Sequence, residues 1–286
     1  MAKPPSDRHA IDEAAIAALV LVYSRALNSI GRVIVGMAAA GVTRASVQTA
    51  RAQIQQQLAE AGQQAGQWVD DNVSATYQRG QQAAATQLQG FDNPVAAAVA
   101  AAILTGTPEL NALHTDSMQT IKEELAARLS DALTSMGRSA NYLITRSLNQ
   151  SLRAQIAGMT DTAEMKRTIL KSLDDNGIYG LVDKAGRRWN PDVYADNVAR
   201  TYLMQARNTA VTNALSSQGY DLVVVSAHGA EDACGPWEDA VLSINGATPG
   251  FYTVGDATGA GLFHNNCKHE LNAYYSSDTQ AVNPDS

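Results

Sequence analysis

Residues 115–156 keep a single apolar period. Met118, Ile121, Leu125, Leu129, Leu133, Met136, Ala140, Leu143, Leu148, Leu152 and Ile156 recur at intervals of three to five. That spacing is one face of an α-helix. No proline interrupts the run. Roughly forty helical residues extend about 60 Å, longer than the helices of compact domains. A chain that contains such a segment is committed to a bundle or an elongated rod, and the rest of the sequence must supply the helices it packs against.

The front of the chain does so. Of 286 residues 49 are alanine, and 24 of these fall in residues 1–100. Alanine has the highest helix propensity. Ile16, Leu19, Val20, Tyr23, Leu27, Ile30, Ile34 and Met37 form a helical stripe, with Asp12 as N-cap and Gly41 as C-cap. Thr43 opens the next helix. Residues 43–89 hold 13 glutamines and few large apolar residues: Val47, Ile54, Leu58, Trp68, Val69, Val73, Tyr77 and Leu88. Gln-rich tracts can be disordered. Here Ala and Gln both favour helix and no proline intervenes, so a long polar helix is predicted. Its thin apolar stripe places it outside a bundle or against another chain. Residues 94–104 form a short Ala-rich helix, closed by Gly106 and Pro108. Beyond Gly158, residues 160–164 cap a short successor that runs to Leu173.

Composition narrows the function. A formal net charge of -7, from 21 Lys+Arg against 28 Asp+Glu, argues against a general nucleic-acid binder. A hydrophobic content of 45% excludes a wholly disordered chain. Two cysteines exclude a disulfide-stapled secreted scaffold. The best apolar run, residues 14–22, ends at Tyr23, Ser24 and Arg25. It falls short of the ~18 to 20 residues of a membrane span. The polar, proline-bearing N-terminus, in which His9 reads as an ordinary surface residue, has no signal-peptide pattern. Synthesis in the cytoplasm and no membrane partner are expected.

After Gly177 the pattern changes. Apolar residues flank the turn 183–186, which reads as a β-hairpin. Asn190-Pro191 starts a helix that runs towards Gly219, with Pro at N1. Residues 222–226 read as a short buried strand. From Asp221 onward there are nine acidic residues and one lysine. The expected fold is therefore mainly α. An elongated N-terminal helical bundle, residues 8–175, docks on a partner. A small α+β domain follows at 176–275, and then a flexible tail at 276–286.

Both cysteines and three of five histidines lie in that last domain. Zn²⁺ favours thiolate and imidazole and takes four ligands. His228, Cys234, Cys267 and His269 would supply Cys2His2, with His264 as a substitute. Two other readings compete. The cysteines pair as a disulfide, or they stay as buried free thiols while the histidines bond the loop backbone. Catalytic readings rest on residue types alone. Ser226, His228 and Asp232 carry triad letters, and Cys267 with a nearby histidine has the letters of a nucleophile and its base. A metal-dependent nuclease or hydrolase using this block would want basic residues for phosphate, and the block has one lysine. The glycine-rich stretch 255–261 matches neither a P-loop nor a dinucleotide fingerprint and reads as an irregular loop. His114 reads as a surface or cap residue.

Five pieces in order resemble the C-terminal domain of tailed-phage minor capsid proteins, the phage minor capsid protein 2 family and the related MuF-type head-morphogenesis proteins. They are Asp183-Lys-Ala-Gly-Arg-Arg-Trp189, Tyr194-Ala-Asp-Asn-Val-Ala-Arg200-Thr201 and Asp221-Leu-Val-Val-Val-Ser226-Ala-His228. Then come Cys234-Gly-Pro-Trp237-Glu-Asp-Ala-Val-Leu-Ser243-Ile-Asn-Gly246 and Gly261-Leu-Phe-His264-Asn-Asn-Cys267-Lys-His269. The family commonly has Gly-Lys after the acidic or amide residue that follows the Trp, where this chain has Asp239-Ala240. It commonly has Pro-Asn-Cys-Arg-His, where this chain has Asn265-Asn266-Cys267-Lys268-His269. The resemblance implies a structural, non-enzymatic virion protein inside the phage head. It implies association with the portal oligomer and other capsid proteins and support of head assembly or genome delivery; the net acidity leaves packaged DNA touched weakly at most. Arg187, Arg188 and Arg200 are the basic sites that could touch phosphate, or they pair within the chain. A metal-dependent nuclease or hydrolase of phage origin is the alternative, and a metal-free scaffold or adaptor is a third reading.

Overall fold

The computed structural model describes residues 11–91, 94–106, 108–156, 167, 171 and 177–274. His9, the tail 276–286, and the short helix expected after Gly158 (its helical residues Arg167 and Lys171 apart) lie outside the described residues. Four helices come first: α1 (Glu13–Ala40), α2 (Arg44–Gln89), α3 (Pro94–Thr105) and α4 (Pro108–Ile156). There follow β1 (Leu181–Val182), β2 (Arg188–Trp189), α5 (Pro191–Ser216), β3 (Leu222–Val225), β4 (Val241–Ser243), α6 (Val254–Gly259) and β5 (Leu271–Ala273). The chain is mainly helical, with a long helical N-terminal region and a small strand-containing C-terminal one, as the sequence predicts.

Helix boundaries follow local chemistry. Gly41 at φ 96° ends α1. Thr43 and Ser46 then cap α2 reciprocally: Ser46 N–H donates to Thr43 Oγ1 at 3.1 Å and Thr43 N–H to Ser46 Oγ at 2.8 Å. α4 starts at Pro108, earlier than its apolar period, because proline suits the first helical position.

The chain divides into two compact units. Ala14–Val69 and Ala126–Asn197 form one; the residues through Glu13, Asp70–Leu125 and Val198 onward form the other. In the first unit α1 buries Ile16, Leu19, Tyr23, Ala26, Ile30 and Ile34. Tyr23 donates its hydroxyl to the Leu129 carbonyl at 2.8 Å, and the Trp68 indole donates to the Ala15 carbonyl at 2.6 Å. The sequence suggested that α2 has too little apolar surface to pack well. In the structure Ala50, Ala61 and Ala65 complete a buried stripe with Val47, Ile54 and Val69. Small residues also let helices approach closely: a Cβ on Gly137 would stand 3.0 Å from Leu58. By length and composition α1 is apolar enough to cross a membrane, with mean hydropathy 1.5 in its best 18-residue window. One face of it is buried in this unit and Tyr23 ties it to the Leu129 carbonyl, while 28% of that window is buried.

The hairpin of this unit pairs Leu181 with Trp189 and Val182 with Arg188, as the sequence predicts. Asp183 builds the turn. Its carboxylate accepts from the backbone N–H of Ala185 and Arg187 at 2.9 and 2.8 Å, and from Arg187 Nε at 2.6 Å.

The other unit holds a three-stranded antiparallel sheet in the order β4-β3-β5. Val223 faces Leu242 on one side and Ala273 on the other. Its core joins Ala84 and Leu88 of α2, Ala100 and Ile103 of α3, and Val211 and Leu215 of α5 to the sheet, and includes both cysteines. The glycine-rich stretch expected to be irregular begins with α6. A capping box between Thr253 and Asp256 starts this helix despite Gly255.

Candidate metal centre

Two chain segments meet beside the end of β3. The first leaves β3 and carries His228. Glu238 fixes this loop by accepting three backbone N–H groups, from His228 at 2.8 Å, Gly229 at 3.1 Å and Ala230 at 3.0 Å. Cys234 follows, its N–H on Asp232 Oδ1 at 2.9 Å, and leads into the turn Gly235–Trp237. Gly235 is required there, since a Cβ would stand 2.5 Å from the Ala230 carbonyl oxygen. The second segment runs from α6 into β5. Phe263 and Asn266 both take positive φ, 62°, on either side of His264. The Cys267 N–H closes the turn on the His264 carbonyl at 3.0 Å.

α5 anchors this second segment. Asn208 Nδ2 donates to the His269 carbonyl at 3.0 Å, and Asn208 Oδ1 accepts from Leu271 N–H at 3.0 Å. Arg207, 3% exposed, pairs with Glu270 at 2.8 Å. From α2, Gln87 Oε1 accepts from Ala273 N–H at 2.8 Å, so a glutamine side chain stands in for a neighbouring strand.

The arrangement brings three of the four expected donors into one group. Cys234 Sγ and Cys267 Sγ lie 3.5 Å apart, and Cys267 Sγ lies 3.3 Å from His269 Nδ1. All three residues are buried and both cysteines are free. His228 falls in a different group, with Glu238 and His269, and its ring stacks on His269 at a centroid distance of 4.2 Å. His264 groups with Asp232 and Cys234, its Nε2 3.0 Å from Asp232 Oδ2.

The electrostatics suit a cation. Burial, then the facing Cys267 sulfur, pushes the Cys234 thiol up to about 12. Burial lowers the His269 pKa, against the pull of Glu238. The backbone donors of His228 and Ala230 hold the Glu238 carboxyl down at about 2. The raised pKa keeps the Cys234 thiol protonated in the absence of a cation; a divalent metal of borderline softness would be held by thiolate and neutral imidazole. The Cys/His cluster has the donor set to bind such an ion.

Other residues singled out in the sequence have different surroundings. Ser226 Oγ accepts from Glu270 N–H at 2.9 Å, while His228 lies by Glu238 and Asp232 by His264, so the triad letters are not assembled together. Arg187 pairs with Asp183, Arg188 lies 4.8 Å over the Tyr179 ring, and Arg200 makes a bidentate pair with Glu13 at 2.6 and 2.7 Å. His114 is buried, not superficial, and bonds Tyr77 at 2.9 Å. Asn208 and Gln87 carry no motif and nothing in their spacing marks them, while Glu238 stood in the piece after Trp237 without a role assigned to it.

The fold is one of packed helices with a small three-stranded sheet. Comparison with protein families places the chain among bacteriophage capsid proteins. Residues 37–282 match the model of phage minor capsid protein 2, and the chain belongs to that family. Its role is structural, in the phage head, and its place is the virion. Neither the curated proteins nor the solved structures give a match to this chain.

Proposed function

We propose that this minor capsid protein sits inside the head at the portal vertex, in contact with the portal oligomer and other capsid proteins. There it supports head assembly or genome delivery. The observation that carries the reading is the extent of the family match, 37–282, which takes in most of the helical region as well as the strand-bearing one. In this reading residues 8–175 dock on the portal and residues 176–275 form a MuF-like domain. Large apolar side chains left outside on the helical unit, Leu21, Tyr142 and Leu152, are candidate contacts. Packaged DNA is touched weakly at most, because Arg187, Arg188 and Arg200 have partners within the chain and the net charge is -7. The ion of the Cys/His cluster is Zn²⁺, in a structural part. Synthesis is in the host cytoplasm.

The test is to quantify the protein in purified virions by mass spectrometry and to ask whether it co-purifies with portal. A fixed low copy number and recovery with portal support the reading. Absence from mature particles overturns it. Metal-dependent DNA cleavage lost in His264→Ala or His269→Ala would turn the reading to a nuclease.

A further inference from the structure

We infer that the metal is held by Cys234 Sγ, Cys267 Sγ, His269 Nδ1 and the half-exposed His264, with Glu238 and His228 outside the coordination shell. This rests on the zinc reading of the cluster. Tetrahedral zinc, with Zn–S of about 2.3 Å and Zn–N of about 2.0–2.1 Å, sets its donor atoms roughly 3.3–3.8 Å apart. The sulfurs at 3.5 Å and the Cys267–His269 pair at 3.3 Å already stand at such separations. The His269 backbone N–H also points at Cys267 Sγ, at 3.5 Å, a donor suited to a thiolate.

Glu238 is the competing donor, since it forms a two-histidine, one-carboxylate group with His228 and His269. That carboxylate is already used. Oε1 accepts from His228 and Ala230 and Oε2 from Gly229, so a metal taking its oxygens would orphan three peptide donors. What remains is Oε1 facing His269 Nε2 at 3.2 Å. Glu238 therefore holds the Nε2 proton and leaves the Nδ1 lone pair on the sulfur side, the usual service of an outer carboxylate to a metal-bound histidine. His228 stacks on the outside of that ring and approaches Glu238, at 3.8 Å.

His264 is the donor that a side-chain rotation would add to the set; as it stands it groups with Cys234 and Asp232, not with Cys267 and His269. It shares its turn with Cys267 and groups with Cys234. Both its ring nitrogens face oxygen acceptors: Nδ1 is 2.8 Å from the Asn265 carbonyl and Nε2 is 3.0 Å from Asp232 Oδ2. A neutral imidazole has one N–H to offer. With Nδ1–H given to Asn265, the Nε2 lone pair faces a carboxylate, an arrangement a nearby cation relieves. Turning Nε2 to the metal closes a Cys2His2 set and leaves Asp232 beside it.

Metal content of the full-length protein tests this, with Co²⁺ as the spectroscopic probe. One zinc per chain by elemental analysis and sulfur-to-cobalt charge-transfer bands after exchange are expected. His264 and His228 are partly exposed, so folding survives their substitution, and circular dichroism checks that Glu238→Gln, which keeps one acceptor oxygen for the loop, remains folded. His264→Ala weakens Zn²⁺ affinity at least tenfold, and Glu238→Gln by about 10- to 100-fold. His228→Ala leaves it within about threefold. Zinc affinity kept in His264→Ala, or lost in His228→Ala, overturns the ligand set while the zinc reading stands. No zinc, no cobalt bands and a melting temperature indifferent to chelator overturn both.

Discussion

Asn208 holds both sides of the residue pair that leads into β5. It donates to the His269 carbonyl and accepts from Leu271 N–H, each at 3.0 Å. One buried amide thus does for this segment what a neighbouring strand would do. Asn208→Ala leaves a buried carbonyl and a buried N–H without partners, and the expected loss is about 2–4 kcal/mol. Urea denaturation measures it. A loss within about 0.5 kcal/mol, the range of ordinary surface substitutions, contradicts the clamp.

Gly80 and Gly66 both lie within α2, and they should respond oppositely to alanine. A Cβ on Gly80 would stand 2.6 Å from the Arg207 carbonyl oxygen and 2.8 Å from Ala210 Cβ. One on Gly66 meets nothing within 4 Å. Gly66→Ala gains helix propensity, about 0.5–1 kcal/mol. Gly80→Ala gains the same but forces α2 off α5, for a net loss of about 1–3 kcal/mol. Paired thermal melts decide it, and a Gly80→Ala protein as stable as the parent is incompatible with that packing.

The helices were legible because a 3.6-residue period needs only local sequence. The period understated α2, whose buried stripe is completed by Ala50, Ala61 and Ala65, residues that look neutral in a count of large apolar side chains. β4 and β5 were not legible. Each is three residues long, and pairing with β3 across tens of residues makes them strands. The residues of the Cys/His cluster could be named because cysteine and histidine are rare in this chain. Their grouping could not, because it depends on a loop wrapped around Glu238 and on two positive-φ residues, Phe263 and Asn266.

Asp183 makes the β1–β2 hairpin acid-sensitive. Desolvation opposes its charge, but the Arg187 backbone and side chain and the Trp189 indole outweigh that and hold its carboxyl at about 2, below the ordinary 3.8. A depressed folded pKa adds stability that is whole above the unfolded value and is lost as pH falls through the folded one. The hairpin should stay intact down to about pH 4 and loosen between about pH 4 and 2. The indole N–H resonance of Trp189, 3.3 Å from Asp183 Oδ2, reports it. Asp183→Asn should move that resonance at neutral pH and remove its dependence over this window.

A hydrogen-bonded chain makes His114 a second pH-sensitive point. Asn213 Nδ2 donates to Tyr77 Oη at 3.0 Å, and Tyr77 Oη pairs with His114 Nδ1 at 2.9 Å. With His114 neutral and Tyr77 donating to Nδ1, the ring proton lies on Nε2, a buried atom with no hydrogen-bond partner among the described residues. Burial lowers its pKa from 6.5. The unfolded chain therefore binds the proton more readily, and folding stability falls as pH drops through 6.5 towards the folded value. Protonation would also force Nδ1 to donate to Tyr77 and displace the tyrosine's own proton. Urea denaturation of wild type and His114→Gln at pH 7.5 and 5.5 separates this from general acid effects. The wild type should lose more stability than the variant between the two pH values. Equal losses would place the titration elsewhere, while a Tyr77→Phe variant, which removes the acceptor of Asn213 as well as the donor to Nδ1, should be destabilised at both.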